Sequence, residues 1–333
     1  MSVICSTDYI NYPSVTSGKF GINYATTMVP LCSGWMLYGD VNNNKIQAVN
    51  AMYQTIGTSY SLSAAPGDMA LDSTNGLLYV AMPGYPYLGI VNLNTSVVSY
   101  VLLAGPAVHL AATNTGYVFA SLSQVVNPGT EYIDYINGMT ASYVAGVTVT
   151  FFGNNAFLAC NSAGTTLIVG ADGCGNCSTY EYSFNTGTYA SALLYTGPGA
   201  YTTNGQEMEM SADGNHLAWV NGGGNGVAAP NNYSILDLSV SNITNNTGFW
   251  TTAPYPRSAG FSPNSANIVT TNGTDLQCWG VASHFISKAT WFGASAAGNL
   301  RRTRFSGGGN IILGLDVPGS SSTPTTILWE TFP

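Results

Sequence analysis

Charge is what this sequence lacks most. Only 7% of its 333 residues are Asp, Glu, Lys or Arg, against about 25% in an ordinary globular domain. Lys and Arg together number 7, too few to track a phosphate backbone, which argues against a nucleic-acid partner. No uninterrupted apolar run reaches the roughly 18 residues of a membrane helix, so membrane insertion is not expected. Helix-forming Glu, Lys and Arg are scarce, and nowhere do apolar residues recur at helical spacing beside a charged face. The start, Met1-Ser-Val-Ile-Cys-Ser-Thr-Asp8, lacks the basic and apolar regions of a signal peptide. Either there is no such signal, or one was removed and Met1 added. No Gly-x-Ser-x-Gly elbow is present. The glycine-rich stretches at 222–226 and 307–310 lack the Lys and the helix of a phosphate loop, so they read as turns.

What the sequence does have is core material. Hydrophobic residues make up 45%, with 21 Tyr, 12 Phe and 6 Trp, which excludes a disordered chain. The net charge of −8 reflects missing cations rather than abundant acids. Solubility must rest on Asn, Thr, Ser, Gly and Tyr, a composition that suits life outside the cytoplasm. Segments of four to eight residues rich in Thr, Val, Ile and Tyr, punctuated by Gly, Asn or Pro, read as strands. The fold class is all-β.

One phrase recurs: an apolar or small residue, a polar turn, then a β-rich apolar run. It occurs as Leu71-Asp-Ser-Thr-Asn-Gly-Leu-Leu-Tyr-Val80, Leu110-Ala-Ala-Thr-Asn-Thr-Gly-Tyr-Val-Phe119, Cys160-Asn-Ser-Ala-Gly-Thr-Thr-Leu-Ile-Val169 and Met210-Ser-Ala-Asp-Gly-Asn-His-Leu-Ala-Trp-Val220. Looser copies are Phe261-Ser-Pro-Asn-Ser-Ala-Asn-Ile-Val269 and Phe305-Ser-Gly-Gly-Gly-Asn-Ile-Ile-Leu313. Their spacing of roughly 40 to 50 residues is that of a four-stranded propeller blade. The sequence therefore predicts a single β-propeller domain over 1–333 with about seven blades, near 18–62, 66–104, 105–146, 147–197, 200–250, 254–292 and 298–333. The last set is one strand short. Val3–Ile10, within a closing strand at 2–10, is the candidate to complete the C-terminal blade and so close the ring.

These phrases resemble the β-propeller superfamily, in particular its YVTN/lactonase-like and WD-repeat types. Phe261-Ser-Pro-Asn264, Ser211-Ala-Asp-Gly214 and Leu78-Tyr-Val80 match parts of the motif at the first hairpin of each blade. The resemblance implies a fold, and that fold hosts lectins, lyases, hydrolases and scaffolds alike.

In such a fold, ligands occupy the central channel or the loops around its mouth. Aligned on the repeat, the inner strands contribute Asp68, His109, Glu207, Glu209, Arg257, Arg301, Arg302 and Arg304. Period-two alternation places Glu207 with Glu209, and Arg302 with Arg304, on one side of their strands. Two readings stand side by side. Either arginines grip a carboxylate or sugar acid while Glu or His moves a proton, or these charges satisfy one another. The loops offer rigid aromatic surfaces in Tyr85 and Tyr87, and in Trp250 and Tyr255, suited to stacking on sugars or proteins or to packing between blades. Cys174-Gly-Asn-Cys177 is a candidate local disulfide. A zinc site would need a second pair at ligand spacing, and Cys5, Cys32, Cys160 and Cys278 stand singly. His109, His216 and His284 fall in different blades, with only His109 on an inner strand and His216 read in a turn. Neither a metal nor a cofactor is expected.

The function that fits is a non-enzymatic binding or structural propeller, extracellular or on a virion surface. It would be a receptor-binding or decorating protein, or an adhesin, recognising a glycan or surface protein, with other virion proteins as further partners. The alternative is a propeller polysaccharide lyase or hydrolase acting at the channel mouth.

Overall fold

The computed structural model describes residues 17–123, 129–151, 156–171, 179–196, 205–221, 233–237, 244–249, 257–271, 276–282, 286–289 and 300–332. β1 (Ser17–Ile22) comes first in the chain. The first sheet takes β2 (Met28–Pro30), β3 (Trp35–Asp40), β4 (Lys45–Asn50) and β5 (Thr55–Ser61). The second takes β6 (Met69–Asp72), β7 (Leu77–Val80), β8 (Tyr87–Asn92) and β9 (Val97–Leu102). The third is β10 (Ala107–Ala112), β11 (Tyr117–Leu122), β12 (Gly129–Asn137) and β13 (Ser142–Phe151). The fourth is β14 (Ala156–Cys160), β15 (Thr166–Ala171), β16 (Thr179–Phe184) and β17 (Ser191–Thr196). The fifth is β18 (Gly205–Met210), β19 (His216–Asn221), β20 (Tyr233–Asp237) and β21 (Thr244–Phe249). The sixth is β22 (Ser258–Phe261), β23 (Asn267–Thr271), β24 (Leu276–Gly280) and β25 (Ile286–Ala289). The seventh contains β26 (Leu300–Phe305), β27 (Ile311–Asp316) and β28 (Thr325–Thr331), with β1 as its fourth strand. All seven are antiparallel sheets of four strands, six of them simple meanders and the seventh completed by β1.

The strand that completes the C-terminal sheet is thus Ser17–Ile22, not the expected 2–10, which lies outside the described residues. β1 pairs β28 without interruption from Ser17 opposite Glu330 to Ile22 opposite Thr325, leaving no place beside β28 for another strand. Two blade limits move with it. The first sheet starts at Met28 rather than near residue 18. The fourth blade, expected from residue 147, starts at Ala156, because Val147 and Val149 belong to β13, opposite Ile133 and Glu131. His216, expected in a turn, opens β19.

The chain forms two compact units, 68–256 and 1–67 with 257–333. In 68–256 the cores lie between successive sheets. Leu77, Tyr79 and Ile90 meet Leu110, Val118 and Ile136. Phe119, Ile133 and Tyr135 meet Leu158, Val169 and Tyr182. Phe157 and Ile168 meet Met208, Leu217 and Trp219. In the other unit Ile22, Met28 and Met36 pack on Leu313, Leu315 and Trp329, and Val269, Leu276 and Cys278 on Leu300, Ile312 and Leu328. Burying apolar faces between neighbouring sheets, at about 25 cal/mol per Å² removed from water, is what holds each unit.

The recurring phrase has a physical cause. In five of the seven sheets a Ser, Thr or Asn opens the first hairpin, and its side-chain oxygen accepts the backbone N–H that closes it. The closing residues are Tyr117 on Thr113 (3.1 Å), Thr166 on Asn161 (3.2 Å), His216 on Ser211 (2.9 Å), Asn267 on Ser262 (2.9 Å) and Ile311 on Ser306 (3.1 Å). Each first hairpin also needs one residue at positive φ: Gly34, Gly76, Gly116, Gly164, Gly214, Ser265 and Gly309. A second repeat joins the third and fourth strands of four sheets. Asn50, Asn92, Asn137 and Asn185 accept the N–H groups two and three residues on, and the residue four on is left-handed: Gln54, Ser96, Ala141 and Tyr189.

Candidate functional site

The first strands of neighbouring sheets lie side by side within each unit, and counting back from the clamp residue gives them a common register. Four residues before the clamp stand His109, Phe157, Glu207, Ser258 and Arg302. Asp68 and Arg257 stand next to that row, and Glu209 and Arg304 two residues along it. β10, β18 and β26 each carry a bulge just before this position, which re-aims the side chain that follows.

In 68–256 the row brings together Asp68, His109 and Phe157. His109 Nδ1 lies 3.8 Å from Asp68 Oδ2, an electrostatic pairing beyond hydrogen-bond length. The same carboxylate oxygen accepts the N–H of Leu110 at 3.0 Å. The imidazole stacks on Phe157 with centroids 4.0 Å apart and planes 28° apart. Phe157 in turn meets Trp219 edge-on at 5.6 Å. His109 N–H donates to Ser121 Oγ at 3.2 Å. Both Asp68 and His109 keep part of their side chains in solvent. Glu207 is buried and Glu209 half-buried on β18. Such an arrangement can hold a polar ligand against an aromatic wall. As a proton-transfer pair it is loose, because Asp68 is engaged in fixing the neighbouring strand.

In the other unit Arg257 and Arg302 are half-buried and Arg301 is exposed. Arg304 has a structural task. Its guanidinium Nη1 donates to Ala259 O (2.9 Å), Thr303 O (2.8 Å) and Ser258 Oγ (3.3 Å). Ser258 Oγ also accepts the N–H of Thr303 at 3.0 Å. The pair therefore staples β22 to β26, and Gly260 leaves room for it: a Cβ there would lie 2.7 Å from Thr303 O.

The third set of candidates sits on the β7–β8 loop. Tyr85 and Tyr87 form a tilted pair with centroids 5.0 Å apart. The loop is braced by Tyr85 N–H on Met82 O (2.9 Å) and Leu103 N–H on Pro86 O (3.0 Å), with Pro83 and Pro86 restricting the backbone. Tyr87 stands opposite Leu102 of β9, and Gly89 opposite Tyr100, so the tyrosine pair continues into a half-exposed apolar strip. Trp250, Tyr255, Cys174 and Cys177 lie outside the described residues. Cys32 is disulfide-bonded, whereas Cys160 and Cys278 are in the thiol form. Among the described residues no cluster of three His, Cys, Asp or Glu could hold a metal ion.

A search by charge alone misses Phe157 and Ser258, although the repeat register marks both. It also misses a charge asymmetry. Between Lys45 and Arg257 there is no Lys or Arg at all, while 68–256 contains ten Asp and Glu. Several of these acids point inward as acceptors of backbone N–H groups. Asp72 takes Gly116 (2.7 Å) and Asp134 takes Ala104 (2.8 Å).

No family model and no curated protein matches the sequence. Solved structures do match the fold. One is the Kuenenia stuttgartiensis hydrazine synthase, with a TM-score of 0.70, 11% identity, and 96% of this chain and 98% of that chain covered. The fold is a β-propeller. A second similar structure is the β-propeller domain of Myceliophteria thermophila Cps50 (Swd1), with a TM-score of 0.68, 10% identity, and 95% of this chain and all of that chain covered. At these identities the likeness extends to four-stranded antiparallel blades and no further.

Proposed function

We propose that this propeller is a non-enzymatic binding protein that works outside the cytoplasm, as a secreted adhesin or a receptor-binding or decorating protein of a virion. Its ligand would be a glycan or a surface protein, with other virion proteins as further partners. The observation that carries this reading is the braced tyrosine pair Tyr85–Tyr87 at 5.0 Å. Two phenol rings held on a proline-restricted loop offer apolar faces and hydroxyls at small entropic cost, the composition that stacks on sugar rings and anchors protein contacts. The disulfide at Cys32 supports an oxidising setting. A surface drawing on Asn, Thr and Tyr rather than Lys is consistent with it.

The alternative, a lyase or hydrolase at the channel mouth, would draw on the mostly buried but solvent-touching Asp68–His109 pair beside Phe157. A glycan-array screen separates the two. Wild type, a Tyr85→Ala/Tyr87→Ala variant and a His109→Ala variant are compared, and hits are assayed for cleavage. Binding lost only with the tyrosines, and no cleavage, supports the binding reading. Cleavage lost with His109→Ala overturns it in favour of the enzyme.

A further inference from the structure

The outer strands of a propeller expose a row of backbone N–H and C=O groups, and such edges are normally disrupted or charged so that other chains cannot pair with them. Here β5, β13, β17, β21 and β25 each carry a register shift against their neighbour. β1 is regular but carries Lys19. β9 has none of these devices. It pairs β8 in unbroken register from Val97 to Leu102 and contains no charge, no proline and no glycine. Among the described residues its far side is the end of its sheet. Tyr100 is 36% exposed and Leu102 59% on one face of β9; the other face carries Val97, 55% exposed, and Val101, which is buried in the core.

We propose that β9 is a docking edge that accepts an extended, uncharged segment of another protein as a fifth strand of the second blade. Its length fits: six residues span about 20 Å. An edge of that size falls well short of the roughly 800 Å² per partner of a standard interface between folded proteins. It therefore cannot hold a second copy of this chain by itself, whereas a single strand draws its affinity from main-chain hydrogen bonds and from alternate side chains. The chemistry of those side chains follows from the neighbours. Tyr87, Tyr100 and Leu102 share one face, and no Lys or Arg occurs between Lys45 and Arg257 to meet a carboxylate. The incoming strand is accordingly apolar or hydroxyl-bearing at alternate positions. This inference does not require the tyrosine loop to bind a glycan.

The test uses the full chain and a labelled synthetic decapeptide of alternating Val and Thr with a central Tyr. Binding is followed by fluorescence anisotropy and by amide hydrogen exchange. The expected result is saturable binding with new protection confined to residues 97–102. Tyr100→Lys should weaken it about tenfold or more, and Leu193→Lys on the bulged β17 should leave it unchanged. A peptide N-methylated at alternate residues should not bind. Tyr85→Ala should retain peptide binding even where it abolishes glycan binding. No binding, binding indifferent to Tyr100→Lys, or protection elsewhere would overturn the proposal. So would sedimentation showing that the chain dimerises and that Tyr100→Lys dissolves the dimer.

Discussion

The carboxylate of Asp72, at the end of β6, accepts the backbone N–H of Gly116 in the next blade at 2.7 Å, across 44 residues of sequence. The same group accepts Asn75 N–H at 2.9 Å and Asn75 Nδ2 at 2.7 Å, and it is fully buried. One side chain thus closes its own hairpin and ties it to the neighbouring one. Asp72→Ala strips three donors of their acceptor, the Gly116 N–H in a buried site and the two Asn75 groups in a half-buried one, at a cost of about 3 kcal/mol. Asp72→Asn keeps one acceptor oxygen and should cost less than half of that. Urea unfolding of the two variants checks the order, and equal losses would show that the carboxylate does not bridge the blades.

The blade repeat was legible in the sequence because one backbone requirement recurs at one place. Five of the seven first hairpins use a side-chain clamp oxygen, and all seven hold a residue at positive φ, supplied as Gly in six. The Asn-based hairpin between third and fourth strands escaped notice for the converse reason. Its left-handed residues are Gln54, Ser96, Ala141 and Tyr189, which share no chemistry. The closing strand was misplaced because β1, Ser-Gly-Lys-Phe-Gly-Ile, has two glycines and little apolar content, whereas Val3–Ile10 looks more like a strand. Its identity is set by pairing with β28, three hundred residues away, and local pattern carries no trace of that. At the candidate site the charged members could be read from the repeat. Phe157 stacking on His109 and the stapling role of Arg304 depend on neighbours brought in by the fold.

The two hairpin repeats respond oppositely to glycine. Ser96 is exposed and held at a φ of 61°, where a Cβ costs about 1–2 kcal/mol. Ser96→Gly should therefore raise stability by a few tenths to about 1 kcal/mol after the entropy of the unfolded glycine is deducted. Gly214→Ala should lower it by about 1 kcal/mol through backbone strain alone, since the nearest atom to an added Cβ is Asn161 Cβ at 3.4 Å. Gly164→Ala should cost clearly more, because the new Cβ would sit 2.7 Å from Thr113 Cγ2. Thermal melts of the three variants test the ranking, and a stabilised Gly164→Ala would refute the assigned φ.

Asp134 gives the fold a pH dependence. Burial pushes its carboxyl above the ordinary aspartate value, and the Ala104 N–H pulls part of that back. A raised folded-state pKa means that the group's contribution is fully present below the ordinary aspartate value, near 3.9, and is lost as pH rises through the folded value. At neutral pH the buried charge therefore weighs against the fold. Asp134→Asn keeps an oxygen for Ala104 and removes the charge, so it should melt higher than wild type at pH 7. Below about pH 4 the two should converge. A variant less stable at pH 7 would mean that the ionised carboxylate is worth more than its desolvation costs.

Cys160 links two blades through a thiol. Its Sγ–H donates to Ala112 O of the preceding sheet at 3.4 Å, and burial pushes its pKa up to about 12. At pH 8 the thiolate, the species that alkylates, is then present at roughly one part in 10⁴. Cys278 on β24 is buried in the core beside Val269 and Leu276. Iodoacetamide at pH 8 should accordingly leave both thiols unmodified in the native chain and label them once urea exposes them. Cys160→Ser retains a donor for Ala112 O and should be tolerated better than Cys160→Val, which leaves that carbonyl without the bond. Rapid labelling of Cys160 in native protein would show that this edge of the fourth blade opens readily, and the thiol link between the third and fourth blades would then contribute nothing to holding them together.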